Sequence, residues 1–382
     1  GGIGEYFDVA LNATQIYQQN VRGGMSTHRR AGRYSGSYDV EVTADMEKML
    51  GLTGGRVYSH MEGGWSKSAG VDGPSVGSMF GVNGDAFGRY AAVVTELFYE
   101  QVFGDREFIM HIGKMDPTGG FHCRGCPVAM DTNRYANDET SQFLNGALVN
   151  NPTISVPDYA LGVAAFWNPV EWWYVSGAVL DAENDFRETG FRTAFGGEDF
   201  YFYTLETGIV PDVSSGKGPM TGTYRAGMWV DGQDKARFSD GKNYRDDVGF
   251  YVSCDQMLYK ENVGCEDQQG LGAFVRYGWA DSNLNDITNF VSGGLQYRGL
   301  LEGRDDDVIG VGAAHGVLSD QKGANGGAGF TEDYEQVWEV YYNAAAADWM
   351  RVSPSLQYVR NPGGDRSARD AVVFGVRVQM TF

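Results

Sequence analysis

Every second residue at the C-terminus of this chain is apolar. Val372, Phe374, Val376, Val378, Met380 and Phe382 alternate with Val373, Gly375, Arg377, Gln379 and Thr381. Only an extended strand converts a period of two into one apolar and one mixed face. The run far exceeds the mean strand of roughly 5–6 residues. Similar alternation sets Val352, Pro354, Leu356 and Tyr358 against Arg351, Ser353, Ser355 and Gln357. It sets Leu271, Ala273, Val275, Tyr277 and Trp279 against Gly272, Phe274, Arg276 and Gly278. Tyr224–Asp231 and Ser37–Ala44 repeat it. Strands of a soluble sandwich are shorter and seldom carry Arg and Glu at their centres. A transmembrane barrel turns apolar residues to lipid and polar ones to water, and needs about 9–11 residues per tilted strand.

Other features agree with that reading. No stretch is long and apolar enough for a membrane helix. Leu161–Leu180 carries only Glu171 as a charge, but Asn168-Pro169-Val170-Glu171 predicts a tight turn between two strands. Trp172, Trp173, Trp279, Trp338 and Phe382 lie at segment ends, where interfacial girdles are expected. The 55 Gly suit a crowded, curved wall, and a formal charge of −20 argues against nucleic acid as a partner. No signal-peptide pattern precedes the first segment, as expected if a leader was removed or if the protein is cytosolic.

Sixteen segments emerge, near 9–20, 33–45, 55–65, 90–103, 107–116, 159–168, 171–182, 200–210, 222–233, 248–258, 269–280, 288–301, 307–318, 334–345, 350–361 and 371–382. Short connections such as 104–106, 168–170 and 302–306 alternate with long ones at 66–89, 117–158, 183–199 and 319–333. That alternation predicts short periplasmic turns, long extracellular loops and both termini in the periplasm. The expected fold is all-β: one 16-stranded antiparallel transmembrane barrel over 1–382.

Gln268–Asp281, Gly299–Asp307 and Leu356–Gly364 resemble the carbohydrate-selective porins of the OprB type. The turn from Asp45 to Gly55 and the run Gln142–Asn145 are similar as well. This resemblance implies an outer-membrane channel that passes monosaccharides by diffusion without a cofactor. The implied surroundings are outer-membrane lipid and lipopolysaccharide, and many sixteen-stranded porins are homotrimers. The alternative is a general or differently selective porin that retains the scaffold but not the sugar site.

Alternation places Arg225, Arg276, Arg298, Arg351 and Arg377 inward, with Asp39, Glu41, Glu96, Glu100, Glu206 and Glu339 on the other wall and Trp229 also inward. Planar guanidinium donors opposite carboxylates would set up a transverse field and offer partners to sugar hydroxyls. Generic lumen charge is the plainer account of any single one. The longest connection, 117–158, is the expected constriction loop, with Arg134, Phe143 and Asn145 at its tip.

Cys123-x-x-Cys126 lacks the following His of a haem site, and His122 adds only a third ligand for zinc. No metal is expected there. Two disulfides are, Cys123–Cys126 and Cys254–Cys265, because cross-pairing would span the membrane. Asp281, Asn283 and Asn285 have calcium-loop spacing but lack the Gly and Glu that follow, so a polar hairpin loop is expected. His111 beside Glu100 is too little for an enzyme.

Overall fold

The computed structural model describes residues 3–65, 70–104, 107–118, 130–196, 200–264 and 268–382. Sixteen long strands form the wall. They are β1 (Phe7–Gly24), β2 (Gly32–Asp45), β3 (Gly55–Trp65), β4 (Arg89–Phe103), β5 (Phe108–Met115), β6 (Ala160–Val170), β7 (Trp173–Asp181) and β8 (Tyr201–Ile209), followed by β9 (Gly218–Asp231), β10 (Asp247–Lys260), β11 (Gly270–Ala280), β12 (Ile287–Arg298), β13 (Val308–Leu318), β14 (Tyr334–Ala347), β15 (Met350–Arg360) and β16 (Arg369–Thr381). Each pairs antiparallel with its neighbour in sequence, and β16 returns to pair with β1. The barrel is closed, which removes the exposed edge an open sheet would present. Phe382 N–H donates to the Leu11 carbonyl at 2.8 Å, so both ends of the chain meet at the short-turn rim.

Alternation sorts the side chains as a barrel in lipid requires. Val275, Leu356 and Phe374 are exposed on the outer face, while Arg276, Gln357 and Val373 on the inner face are buried. Aromatic pairs mark both rims. Phe103–Phe108, Trp167–Trp173 and Trp349–Phe382 lie near the short turns, and Phe250–Trp279 and Trp338–Tyr358 near the long loops.

Two local expectations are corrected. The turn between β6 and β7 is Glu171-Trp172, not Asn168-Pro169-Val170. Pro169 lies instead in a register shift between Trp167 and Val170, where its missing N–H costs no ladder bond. Cys254 does not take part in the expected disulfide. β10 continues to Lys260, and Cys254 sits mid-wall opposite Tyr224 and Val275 with a free thiol. Cys123, Cys126 and Cys265 lie outside the described residues.

The lumen is not empty. Segments 70–88 and 130–159, from the β3–β4 and β5–β6 connections, fold back inside. Val76, Phe80, Val82, Phe143, Leu148 and Val149 pack there against inward residues of β11–β16, including Phe274, Phe290, Tyr341 and Val373. Inward glycines make the recesses. A Cβ on Gly272 would lie 2.1 Å from the Tyr135 ring, and one on Gly312 would lie 2.9 Å from Phe143. A second apolar cluster, including Phe98, Phe166, Phe202 and Trp229, lies along β3–β11.

The outward assignment gives a direct test. Val275 is mid-strand and 51% exposed on the lipid face. Val275→Arg should destabilise the barrel in phospholipid vesicles by about 2–4 kcal/mol, the penalty of a cation at the bilayer midplane. Leu50→Arg, in the exposed short-turn helix Met46–Leu50, should leave stability within about 0.5 kcal/mol. Reversible denaturant unfolding of the two variants measures both.

Candidate functional site in the barrel lumen

An irregular loop inside a barrel brings backbone donors and acceptors away from water, and each needs a partner. Inward charged side chains of the wall supply many of them. Glu339 accepts from the N–H groups of Leu144 and Asn145, both at 2.9 Å. Asn145 donates to Gln357 at 3.0 Å, and its side chain also caps the short helix Gly146–Val149. Gln357 in turn donates to the Val82 carbonyl at 2.9 Å.

Arg276 donates to the carbonyls of Leu148 at 2.7 Å, Ala136 at 2.6 Å and Asp131 at 3.3 Å. Arg377 donates to the carbonyls of Glu139 and Gln142. Glu206 accepts from Asp131 N–H, Tyr174 O–H and Tyr251 O–H.

These contacts divide the expected pore-lining set. Arg276, Arg377, Glu206 and Glu339 are buried loop anchors. Arg225 is buried in an ion pair with Asp255 at 2.9 Å, Glu100 is beside His111 Nε2 at 3.0 Å, and Trp229 stacks on Phe202. Phe143 and Asn145 are wall-side anchors of the loop rather than its tip. Arg134, Arg298, Arg351, Asp39, Glu41 and Glu96 line open space instead.

That space comprises two cavities that share the loop segment Arg134–Gln142. The first, about 340 Å³, lies near the short-turn ends of β10–β15, where its charged residues among those described are Arg134, Arg298 and Arg351. Arg298 donates to Asp306 at 2.8 Å, and Arg351 to Asn343 at 3.0 Å.

The second cavity, about 350 Å³, lies against β1–β4 and β16. Eight carboxylates line it, from Asp39, Glu41, Glu62, Asp85, Glu96, Asp116, Asp138 and Glu139, with His60, Tyr58 and Tyr159 among them and no Lys or Arg among the described residues. Both volumes fall in the range of about 300–1,000 Å³ that small-molecule sites occupy.

The loop carboxylates feel that crowding. Burial, reinforced by Asp39, pushes Asp85 up to about 7 despite hydrogen bonds from Ser37. Burial and Asp138 push Glu139 up to about 8, and burial and Glu96 push Asp116 up to about 6.

Such a lumen, closed by sixteen strands and narrowed by inward loops, matches a known design. The family model for carbohydrate-selective porins, OprB family, matches residues 29–382. The chain belongs to the carbohydrate-selective porins. Membership makes it a sugar-selective channel of the outer membrane. Among curated porins, Porin B of Pseudomonas aeruginosa is 24% identical over 408 residues, covering 98% of this chain and 87% of the relative. The high-pH structure of Pseudomonas putida OprB superposes with a TM-score of 0.82 at 19% identity, covering all of this chain and 95% of that one. A Rhodopseudomonas blastica porin variant reaches 0.51 at 10% identity.

Several residues of this porin's lumen escaped the sequence analysis. Glu335 accepts from the N–H groups of Met79, at 3.0 Å, and Gly363, at 2.6 Å. Its parity with Glu339, two strand repeats away, is the available signal. His60 and Glu62 share an inward parity in the same way. Asp85 and Glu139 lie in loops, where no periodicity announces them.

The anchoring role of Glu339 is testable. Glu339→Ala leaves two buried N–H donors without their acceptor, costing about 1–3 kcal/mol for each group left unsatisfied. Release of the 130–159 segment should make Arg134 cleavable by trypsin in intact protein and raise single-channel conductance. An uncut loop with unchanged conductance would show that Glu339 does not hold it.

Proposed function

We propose that small sugars diffuse passively through the two lumen cavities, with loop 117–158 as the constriction between them. The carrying observation is that the Arg134–Gln142 segment lines both cavities, one bearing guanidinium groups and the other carboxylates. Sugar hydroxyls both donate and accept, so they can exchange water for carboxylates on one side and guanidinium groups on the other. Tyr58 and Tyr159 offer ring faces to the apolar side of a pyranose. On this reading Arg134, Arg298, Arg351, Asp39, Glu41 and Glu96 meet solute, while Arg276, Arg377, Glu206 and Glu339 fix the aperture.

The short turns and both chain termini would then lie in the periplasm and the long loops outside. The family and the barrel favour a channel over an enzyme. The name Porin B of the Pseudomonas aeruginosa relative supports the same assignment.

Glucose titrated into single channels in a planar bilayer tests the sugar path. Saturable block in the millimolar range, weakened by Arg298→Ala and Glu41→Gln, is the expected result. Steady conductance at every sugar concentration would assign the barrel to a general porin.

The acidic cavity adds a pH dependence. A carboxyl group is neutral below its pKa and anionic above it. Asp116, Asp85 and Glu139, raised to about 6, 7 and 8, should therefore add negative charge to the lumen as pH rises. The reversal potential in a KCl gradient should move toward cation preference between pH 5 and 9, most steeply between about 6 and 8. A flat profile would place these groups away from the ion path.

A further inference from the structure

We propose that Asp39, His60 and Glu62 form a binding site for a divalent transition-metal ion inside the lumen. Strand pairing brings the three together. Asp39 on β2 lies directly opposite Glu62 on β3, and His60 precedes Glu62 by two residues on the same inward face. One ligand atom from each side chain, all within 4.8 Å of one another, faces the acidic cavity. His60 Nε2 is 3.0 Å from Asp39 Oδ1. Two ligands bound at about 2.0–2.2 Å lie about 3.0–3.5 Å apart at bond angles of 90–110°. Small side-chain movements would close the set on an ion.

Two further observations point to a cation. On the other side of the imidazole, His60 Nδ1 lies 3.5 Å from Glu96 Oε1. A carboxylate beside one ring nitrogen fixes the tautomer that leaves the other free to coordinate, the usual arrangement around a metal-bound His.

Glu62 is only 7% exposed. Its sole hydrogen bond is a long one, 3.3 Å from Tyr159 O–H to Oε2, and Oε1 has no partner among the described residues. A largely buried carboxylate with one oxygen open to a cavity that has no Lys or Arg among its described lining residues lacks its counter-charge.

The ligand chemistry selects the class of ion. One imidazole and two carboxylates suit zinc or a neighbouring transition metal, whereas calcium and magnesium prefer six or more oxygens. The fourth position opens to the cavity, so an occupied site would also narrow the solute path. The competing occupant is a proton, with an imidazolium held between Asp39 and Glu96.

Zinc chloride added to single channels, and titrated calorimetrically into detergent-solubilised protein, tests the proposal. Wild-type channels should lose conductance saturably at micromolar Zn²⁺ and not at the same concentration of Mg²⁺. His60→Gln and Glu62→Gln should each weaken zinc binding at least tenfold. Glu96→Gln should weaken it roughly 10–100-fold through the imidazole it orients. Heat-modifiable gel mobility identifies variants that have assembled a barrel, and Asp39→Asn replaces any that has not.

Absence of saturable Zn²⁺ binding by the wild-type protein overturns the proposal and leaves the proton as occupant. Wild-type zinc affinity in the assembled variants overturns it equally, by placing the ion elsewhere. Glucose block in zinc-free buffer is scored separately, so failure of the sugar path and failure of the metal site are distinguishable.

Discussion

The structure depends on how buried backbone is satisfied inside the barrel. The wall satisfies its own N–H and C=O groups by pairing around the full circle, but the two inward segments have no strand to pair with. Their partners are inward charged side chains, chiefly Glu339, Glu335, Glu206, Arg276 and Arg377. A charged partner makes a shorter and stronger hydrogen bond than a neutral one. The charges sit on rigid strands spaced around the wall, so they fix the loop as well as satisfy it. The aperture is thereby set by the wall and not by the loop's own conformational preference.

This arrangement also explains why glycine and bulky aromatics coexist on the inner face. Where a loop side chain presses on the wall, the wall residue has no side chain, as at Gly272 beneath Tyr135 and Gly312 beneath Phe143. Elsewhere the wall fills its own recesses: the Trp229 ring occupies the space over Gly249, and the Tyr251 ring that over Gly227. The loops consolidate an apolar core against β11–β16, leaving one open cavity near the short-turn ends and the other against β1–β4 and β16.

The wall was legible in the sequence because each strand carries its own signal. Alternation needs no knowledge of the partner strand, and sixteen long strands with alternating short and long connections define a barrel by parity alone. It fails where a residue breaks the ladder: Pro169 looks like a turn and proves to be a bulge. It also cannot say what an inward side chain meets. Arg276 and Arg298 lie on neighbouring strands and both point inward. Arg276 is wholly buried in loop carbonyls, whereas Arg298 lines a cavity. The difference lies in the path of residues 130–159, whose fold follows from long-range contacts with no local period. Phe143 and Asn145 fall in a run that resembles the family, but only the path of the loop shows that they face the wall.

The division of charge in the lumen bears on how a porin can be selective without holding its solute. The guanidinium groups of Arg298 and Arg351 already have acceptors in Asp306 and Asn343, and Glu41 is bonded by Asn12 and Tyr58. A passing hydroxyl therefore competes with an existing partner, so each exchange gains little net free energy and reverses readily. Recognition then rests on many weak exchanges along the path rather than on one deep site. Glu62 departs from that pattern, since its Oε1 has no partner to release. A neutral hydroxyl can hydrogen-bond there but leaves the charge uncompensated, whereas a metal cation coordinates the oxygen and compensates the charge. Sugars and ions crossing the same cavity consequently meet different energy profiles, and the carboxylates rather than the aperture set the difference.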